Sequence, residues 1–130
     1  MILLDTHVAI WLVSFPQKLS ERAHAAIHEA RQSGEMLGCA AASLYETAYL
    51  ARVNRIPLRV SPENFIAAMR KRFDWRPLTA EIALRAAALQ APFHGDPMDR
   101  MIAATALVEG CTLITADEKI RAAKICKTLW

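Results

Sequence analysis

Four carboxylates in this chain stand where carboxylates are costly, and they are its residues best suited to chemistry. Asp5 follows directly on the all-apolar run Met1–Leu4, and Asp117 comes just after the short apolar run Thr112–Thr115. Asp99 opens a helical pattern whose one face carries Asp99, Ile102, Ala103, Ala106, Leu107 and Gly110, so the acid heads a small, apolar side. Glu46 shares a helical stripe with Ala42, Tyr49, Leu50 and Val53, a glutamate in a mostly apolar face. Each has a plain explanation on its own. Asp5 and Asp117 can cap helices, Asp96-Pro97-Met98-Asp99 reads as a capping arrangement, and Glu46 can pair with Arg52 or Arg100. Together they are harder to explain, because acids converging on one place repel and raise one another's pKa values. A divalent cation removes that conflict. Oxygen ligands without Cys or His select a hard ion, Mg²⁺ or Mn²⁺.

The elements that must position these acids follow from the pattern. Apolar runs at 1–4, 36–40 and 112–115 read as buried strands, with two further strands expected at 75–78 and 126–130. Between them the spacing predicts helices from Thr6 to Val13, Ser20 to Gln32, Ala42 to Asn54, Ser61 to Phe73, Thr79 to Gln90, Asp96 to Gly110 and Asp117 to Lys124. Ser20, Ser61 with Pro62, and Asp96 with Pro97 are N-terminal signals, and Gly34 and Gly110 are stops. The segment 91–95 reads as a loop. Strands alternating with helices predict an α/β domain with a central, mostly parallel sheet of four to five strands flanked by helices. In such a sheet functional residues gather just beyond the carboxyl ends of the strands, where Asp5 and Asp117 fall.

Composition bounds the rest. At 130 residues the chain suits a single domain, 1–130, and 54% hydrophobic residues exclude a disordered or low-complexity chain. A net charge of +3 permits an anionic partner without requiring one. Three cysteines, Cys39, Cys111 and Cys126, lack any CxxC spacing and read as reduced thiols of a cytoplasmic protein. No apolar run is long enough to span a membrane, so no membrane partner is expected. His24 and His28 have a metal-like spacing but no Glu between them, and they read as surface residues. His7 and His94 flank the acids in sequence, and His94 is a candidate to support Asp96 or touch a ligand. The apolar stretches Trp11–Val13 and Tyr45–Val53 are either core or a partner surface.

Four marks together carry a family resemblance: Leu3-Leu4-Asp5-Thr6-His7, Ser43-Leu-Tyr-Glu46, His94-Gly-Asp96-Pro-Met-Asp99-Arg100, and Leu113-Ile-Thr115-Ala-Asp117. In this order and spacing the chain resembles the PIN-domain ribonucleases, in particular the VapC-type toxins of bacterial toxin–antitoxin pairs. The resemblance implies a catalytic quartet of Asp5, Glu46, Asp99 and Asp117, with Asp96 as a further acid at the metal site and Thr6 and Thr115 in support. It also implies Mg²⁺- or Mn²⁺-dependent cleavage of RNA, a homodimer, and a cognate antitoxin. Candidates for the basic rim that RNA needs are Arg52, Arg55, Arg100 and Lys119, with Lys18 and Arg59 behind them. Two other classes compete with this reading. A PIN-like module without catalysis would lack metal-dependent cleavage. A signalling receiver domain would need an acidic pair after the first strand and an Asp after a central strand, where this chain has Asp5-Thr6-His7 and nothing acidic after Ala40.

Overall fold

The computed structural model describes every residue except 91, 92, 94 and 95, so the expected loop at 91–95 and the proposal for His94 lie outside the described residues. Five strands form one sheet: β1 (Ile2–Leu4), β2 (Leu37–Ala40), β3 (Asp74–Arg76), β4 (Thr112–Ile114) and β5 (Thr128–Leu129). Every pairing is parallel and the order across the sheet is β3-β2-β1-β4-β5. Parallel neighbours require crossovers, and seven helices supply them: α1 (Thr6–Ser14), α2 (Glu21–Gln32), α3 (Ala42–Arg52), α4 (Pro62–Arg72), α5 (Ala80–Ala88), α6 (Pro97–Val108) and α7 (Glu118–Ala123). The expected α/β architecture is therefore present, with five strands and no antiparallel member among the described residues.

Successive side chains on a strand point to opposite faces, and β1 shows the consequence. Leu4 packs with Val8, Ile10, Ile27, Phe65, Met69 and Ile114 on one side of the sheet. Leu3 packs with Phe93, Ile102, Ala103, Leu113 and Ile120 on the other. Both faces are buried, which is why β1, β2 and β4 read as uninterrupted apolar runs. Most helix starts lie where the sequence signals put them. Ser20, Ser61, Thr79 and Asp96 each accept a backbone N–H three residues on, at α2, α4, α5 and α6.

The order of strands matters most for function. From β1 the chain moves outward one way through β2 and β3, then returns to build β4 and β5 on the other side. The two directions part between β1 and β4, a switch point whose carboxyl edge opens a crevice. Helices that connect parallel strands run antiparallel to them, so their N-termini face the same edge.

Two sequence readings shift. The third strand, Asp74–Arg76, starts one residue before the expected 75–78 and ends two sooner, and the fifth, Thr128–Leu129, is only the middle of the expected 126–130. The buried face of α3 is Ser43, Thr47, Leu50 and Ala51, and not the stripe Ala42, Glu46, Tyr49, Leu50, Val53. Two small hydroxyl residues take core positions, which turns Tyr49 (50% exposed) and Val53 (41%) outward and leaves Glu46 half-buried at the boundary. Tyr45, at 64% exposed, joins Tyr49 and Val53 in a solvent-facing apolar row. Trp11, Leu12 and Val13 are partly buried against the core.

Candidate active site

Asp5 is held by its backbone before its side chain does anything. Its N–H donates to the Ile114 carbonyl at 3.0 Å, extending the β1–β4 pairing past the end of both strands. The side chain then caps α1, with Oδ1 accepting the Thr6 N–H at 2.7 Å. Oδ2 accepts the Thr115 hydroxyl at 2.6 Å. Thr115 in turn accepts the Asp117 N–H at 3.0 Å, so one hydroxyl ties the end of β1 to the turn after β4. Asp117 Oδ1 caps α7 by accepting from Lys119 at 2.7 Å and Ile120 at 3.0 Å. Asp96 caps α6 by accepting the Asp99 N–H at 2.9 Å. The capping and converging readings of these acids are thus both true. Capping brings each carboxylate to a helix N-terminus, and the topology brings those N-termini to one edge.

Glu46 arrives from α3, which follows β2. Its Oε2 accepts the Thr6 hydroxyl at 2.6 Å, and that hydroxyl also lies 2.9 Å from Ser43 Oγ. Thr6 and Thr115, the two expected supporting residues, therefore hold Glu46 and Asp5 respectively. Ser43, within the Ser43-Leu-Tyr-Glu46 stretch, is a third supporting hydroxyl that the sequence reading does not single out. Its signal was a small hydroxyl three positions before Glu46, one helical turn back on the buried side.

Asp5, Glu46, Asp96, Asp99 and Asp117 all line a single cavity of about 370 Å³, together with His7, Trp11 and Ala116. Crowding and burial show in their protonation. Desolvation pushes the Asp99 carboxyl up to about 7, with Asp96, Asp5, Asp117 and Glu46 adding repulsion. Desolvation also raises Asp5 against the opposing Thr115 and Thr6 hydrogen bonds, and raises Glu46 against the Thr6 hydrogen bond. Among the described residues none of these five acids forms an ion pair with a basic side chain.

The donor set fits a hard divalent cation. Its acids offer oxygen ligands only, and burial raises three of them, Asp5, Glu46 and Asp99, above their ordinary values. Among the described residues no three acidic or His side chains converge into a closed cage.

The basic candidates separate. Arg100 does not join a rim: Nη1 donates to the Ala86 carbonyl at 3.0 Å and the Leu89 carbonyl at 2.7 Å, fastening the end of α5 to α6. Arg52 lies 3.4 Å from Glu63 at the surface. Arg55 lines a second cavity of about 260 Å³ with Tyr45, Tyr49, Leu50, Pro97 and Met98, and Glu46 and Asp96 border both cavities. Lys18 lies 5.9 Å from the Trp11 ring. Lys119 is exposed beside Asp117 at the start of α7. Arg59 lies by a cavity formed with Phe15, Val60 and Phe65, which shares no lining residue with the acidic one. The histidines His24 and His28 are exposed, as expected.

A parallel five-stranded sheet with acids gathered at the β1/β4 switch point defines a class, and the sequence agrees. Residues 2–125 match the PIN domain, and the chain belongs to that family. Among individual proteins it is 38% identical over 120 residues to "Ribonuclease VapC22" of Mycobacterium tuberculosis, covering 92% of this chain and 89% of the other. Its fold matches that in VapBC2 of Rickettsia felis, crystallised with a DNA fragment from its promoter. There the TM-score is 0.73 at 16% identity, covering 99% and 98% of the two chains. DNA-bound VapBC of Salmonella typhimurium gives 0.72 at 18% identity, over 99% and 98%. FitAcB of Neisseria gonorrhoeae gives 0.68 at 20% identity, over 100% and 97%.

Proposed function

We propose that this protein is a Mg²⁺- or Mn²⁺-dependent endoribonuclease that serves as the toxin of a cytoplasmic toxin–antitoxin pair. One observation carries the reading: five carboxylates, four of them held by caps or buried hydroxyls, line one cavity, and none is ion-paired with a basic side chain among the described residues. The relationship to a ribonuclease of the VapC type supports the substrate.

Asp5, Glu46, Asp99 and Asp117 would hold the cation, with Asp96 beside them on the same cavity wall. When bound, the divalent cation neutralises the scissile phosphate and acidifies a water for in-line attack. The chain's own residues do the remainder. Thr115 and the Thr6 amide each take one lone pair of an Asp5 oxygen and aim the rest into the cavity. Thr6 fixes the Glu46 carboxylate in the same way. RNA approaches over a basic rim, for which Lys18, Arg55 and Lys119 remain the candidates near the cavity.

Toxin–antitoxin complexes are among the solved structures that share the fold, which supports a protein partner that masks the acidic cavity. The outward apolar row of Tyr45, Tyr49 and Val53 supports a homodimer. Three free cysteines are in keeping with a reducing compartment, and no helix among the described residues is long and apolar enough to cross a membrane.

The test is cleavage of a labelled RNA by purified protein. Cutting is expected with Mg²⁺ or Mn²⁺ and is lost in EDTA and in Asp5→Ala or Asp99→Ala. Equal cutting by chelated enzyme or by those variants contradicts the reading.

A further inference from the structure

We propose that His7 and Trp11 form a nucleobase-stacking wall of the acidic cavity and contact the bases flanking the scissile phosphate. This rests on the nuclease reading above and narrows it. His7 and Trp11 lie one turn apart on α1, so both side chains leave the same face of the helix. Their rings are 5.9 Å apart and tilted by 55°. Both line the cavity that holds the five acids, where the other lining residue is Ala116.

Cation binding explains the acids but not the aromatic rings. An imidazole and an indole beside a phosphate-directed metal site supply what the acids cannot, a surface for the flat faces of bases. The Trp11 ring is also braced. Trp130 lies 5.8 Å from it, and the Lys18 ammonium lies 5.9 Å from its centroid and 5.4 Å from that of Phe15. A ring already held by its neighbours loses little freedom when a ligand docks, so contact with it translates efficiently into affinity. Lys18, fixed beside the same ring, is placed to meet the phosphate next to a stacked base.

Stacking on aromatic side chains tolerates any base, because every base has a π-face. It also demands that the base be unpaired, since paired bases lie within their own stack. The wall thus selects single strands and loops over duplex, with little preference for sequence.

The experiment measures binding of a fluorescent oligoribonucleotide in Ca²⁺ by anisotropy. It compares an intact single strand, the same strand with an abasic position, and the annealed duplex. Proteins are wild type, Trp11→Ala, Trp11→Phe, His7→Ala and, as a distant control on α5, Leu84→Ser. Trp11→Ala is expected to weaken single-strand binding roughly tenfold or more. Trp11→Phe should restore most of it, and Leu84→Ser should leave it unchanged. The abasic strand should bind wild type as weakly as the intact strand binds Trp11→Ala, with no further loss when both changes are combined. His7 is exposed, so His7→Ala tests the same wall even if Trp11→Ala disturbs folding. Binding by Trp11→Ala and His7→Ala within twofold of wild type overturns the inference, as does an equal loss on duplex. Loss of self-association or antitoxin binding by Trp11→Ala, with RNA binding intact, assigns the ring to a protein interface instead. If wild type neither cuts nor binds any of these RNAs with Mg²⁺, the nuclease reading fails and the wall fails with it. If wild type cuts and the variants bind as it does, only the wall fails.

Discussion

Two groups of acidic side chains sit around the same sheet and are treated in opposite ways. At the outer strand β3, Asp74 and Glu109 flank Arg76, whose Nη1 donates to Asp74 at 2.9 Å and whose Nε donates to Glu109 at 2.7 Å. Those hydrogen bonds hold the guanidinium firmly in its charged form. Around the β1/β4 switch point five carboxylates share a cavity, and among the described residues none is ion-paired with a basic side chain. The first group shows that this fold neutralises acids when they serve only structure. The second therefore reads as a site whose positive charge is supplied from outside.

That contrast is most sharply tested by removing one charge from each group. Asp99→Asn is expected to lower cleavage by more than the 10- to 100-fold typical of a residue that only supports a ligand. In the absence of metal at pH 7.5 it should stabilise the protein by about 1 kcal/mol, a rise of a few degrees in melting temperature. Glu109→Gln should act in the reverse sense, costing up to about 1 kcal/mol and leaving cleavage intact. Thermal unfolding and RNA cleavage of the two variants decide it, and destabilisation by both erases the distinction between the regions.

Next in size are the hydroxyls. Thr115→Val and Thr6→Val keep the buried volume but withdraw the donors to Asp5 and Glu46. Each is expected to cost 10- to 100-fold in metal affinity or activity, with Thr115→Ser and Thr6→Ser restoring most of it. A valine variant with wild-type metal affinity removes the hydroxyls from the account.

The smallest expected effect is on pH dependence. Asp99 titrates near 7 in the folded protein and near the ordinary 3.8 when unfolded. The folded state therefore binds more protons between those values, and metal-free stability falls as pH rises from about 4 to about 7. Asp5 and Glu46, also raised, push the same way. Asp99→Asn should flatten this slope in a series of melts across pH, and an unchanged slope contradicts the assignment.

Much of this was legible in the sequence because its signals were local. Caps such as Ser61-Pro62 and Asp96-Pro97 fix helix starts by satisfying the first free N–H groups, and runs such as Met1–Leu4 announce a strand buried on both faces. The acids were legible because each breaks an apolar pattern. What escaped depends on partners distant in the chain. β3 and β5, of three and two residues, owe their extent to pairing with β2 and β4 rather than to any pattern of their own. The α3 face was misread because Ser43 and Thr47 fill core positions that periodicity assigns to apolar residues. Arg100 resembled a surface cation, and its carbonyl partners lie 11 and 14 residues back across a turn. Trp11 reads as core by type, and only the folded cavity gives it a second role.

The central claim is that the cavity takes its positive charge from a divalent cation, and metal binding measures it without reference to RNA. Calorimetric titration of chelator-stripped protein with Mn²⁺ at pH 7.5 is expected to show saturable binding. It should release protons, because ionisation of Asp99 accompanies it, and the isotherm should be lost in an Asp5→Asn/Asp99→Asn double variant that still folds. A wild-type titration with no heat and no accompanying rise in melting temperature at millimolar Mn²⁺ contradicts the account.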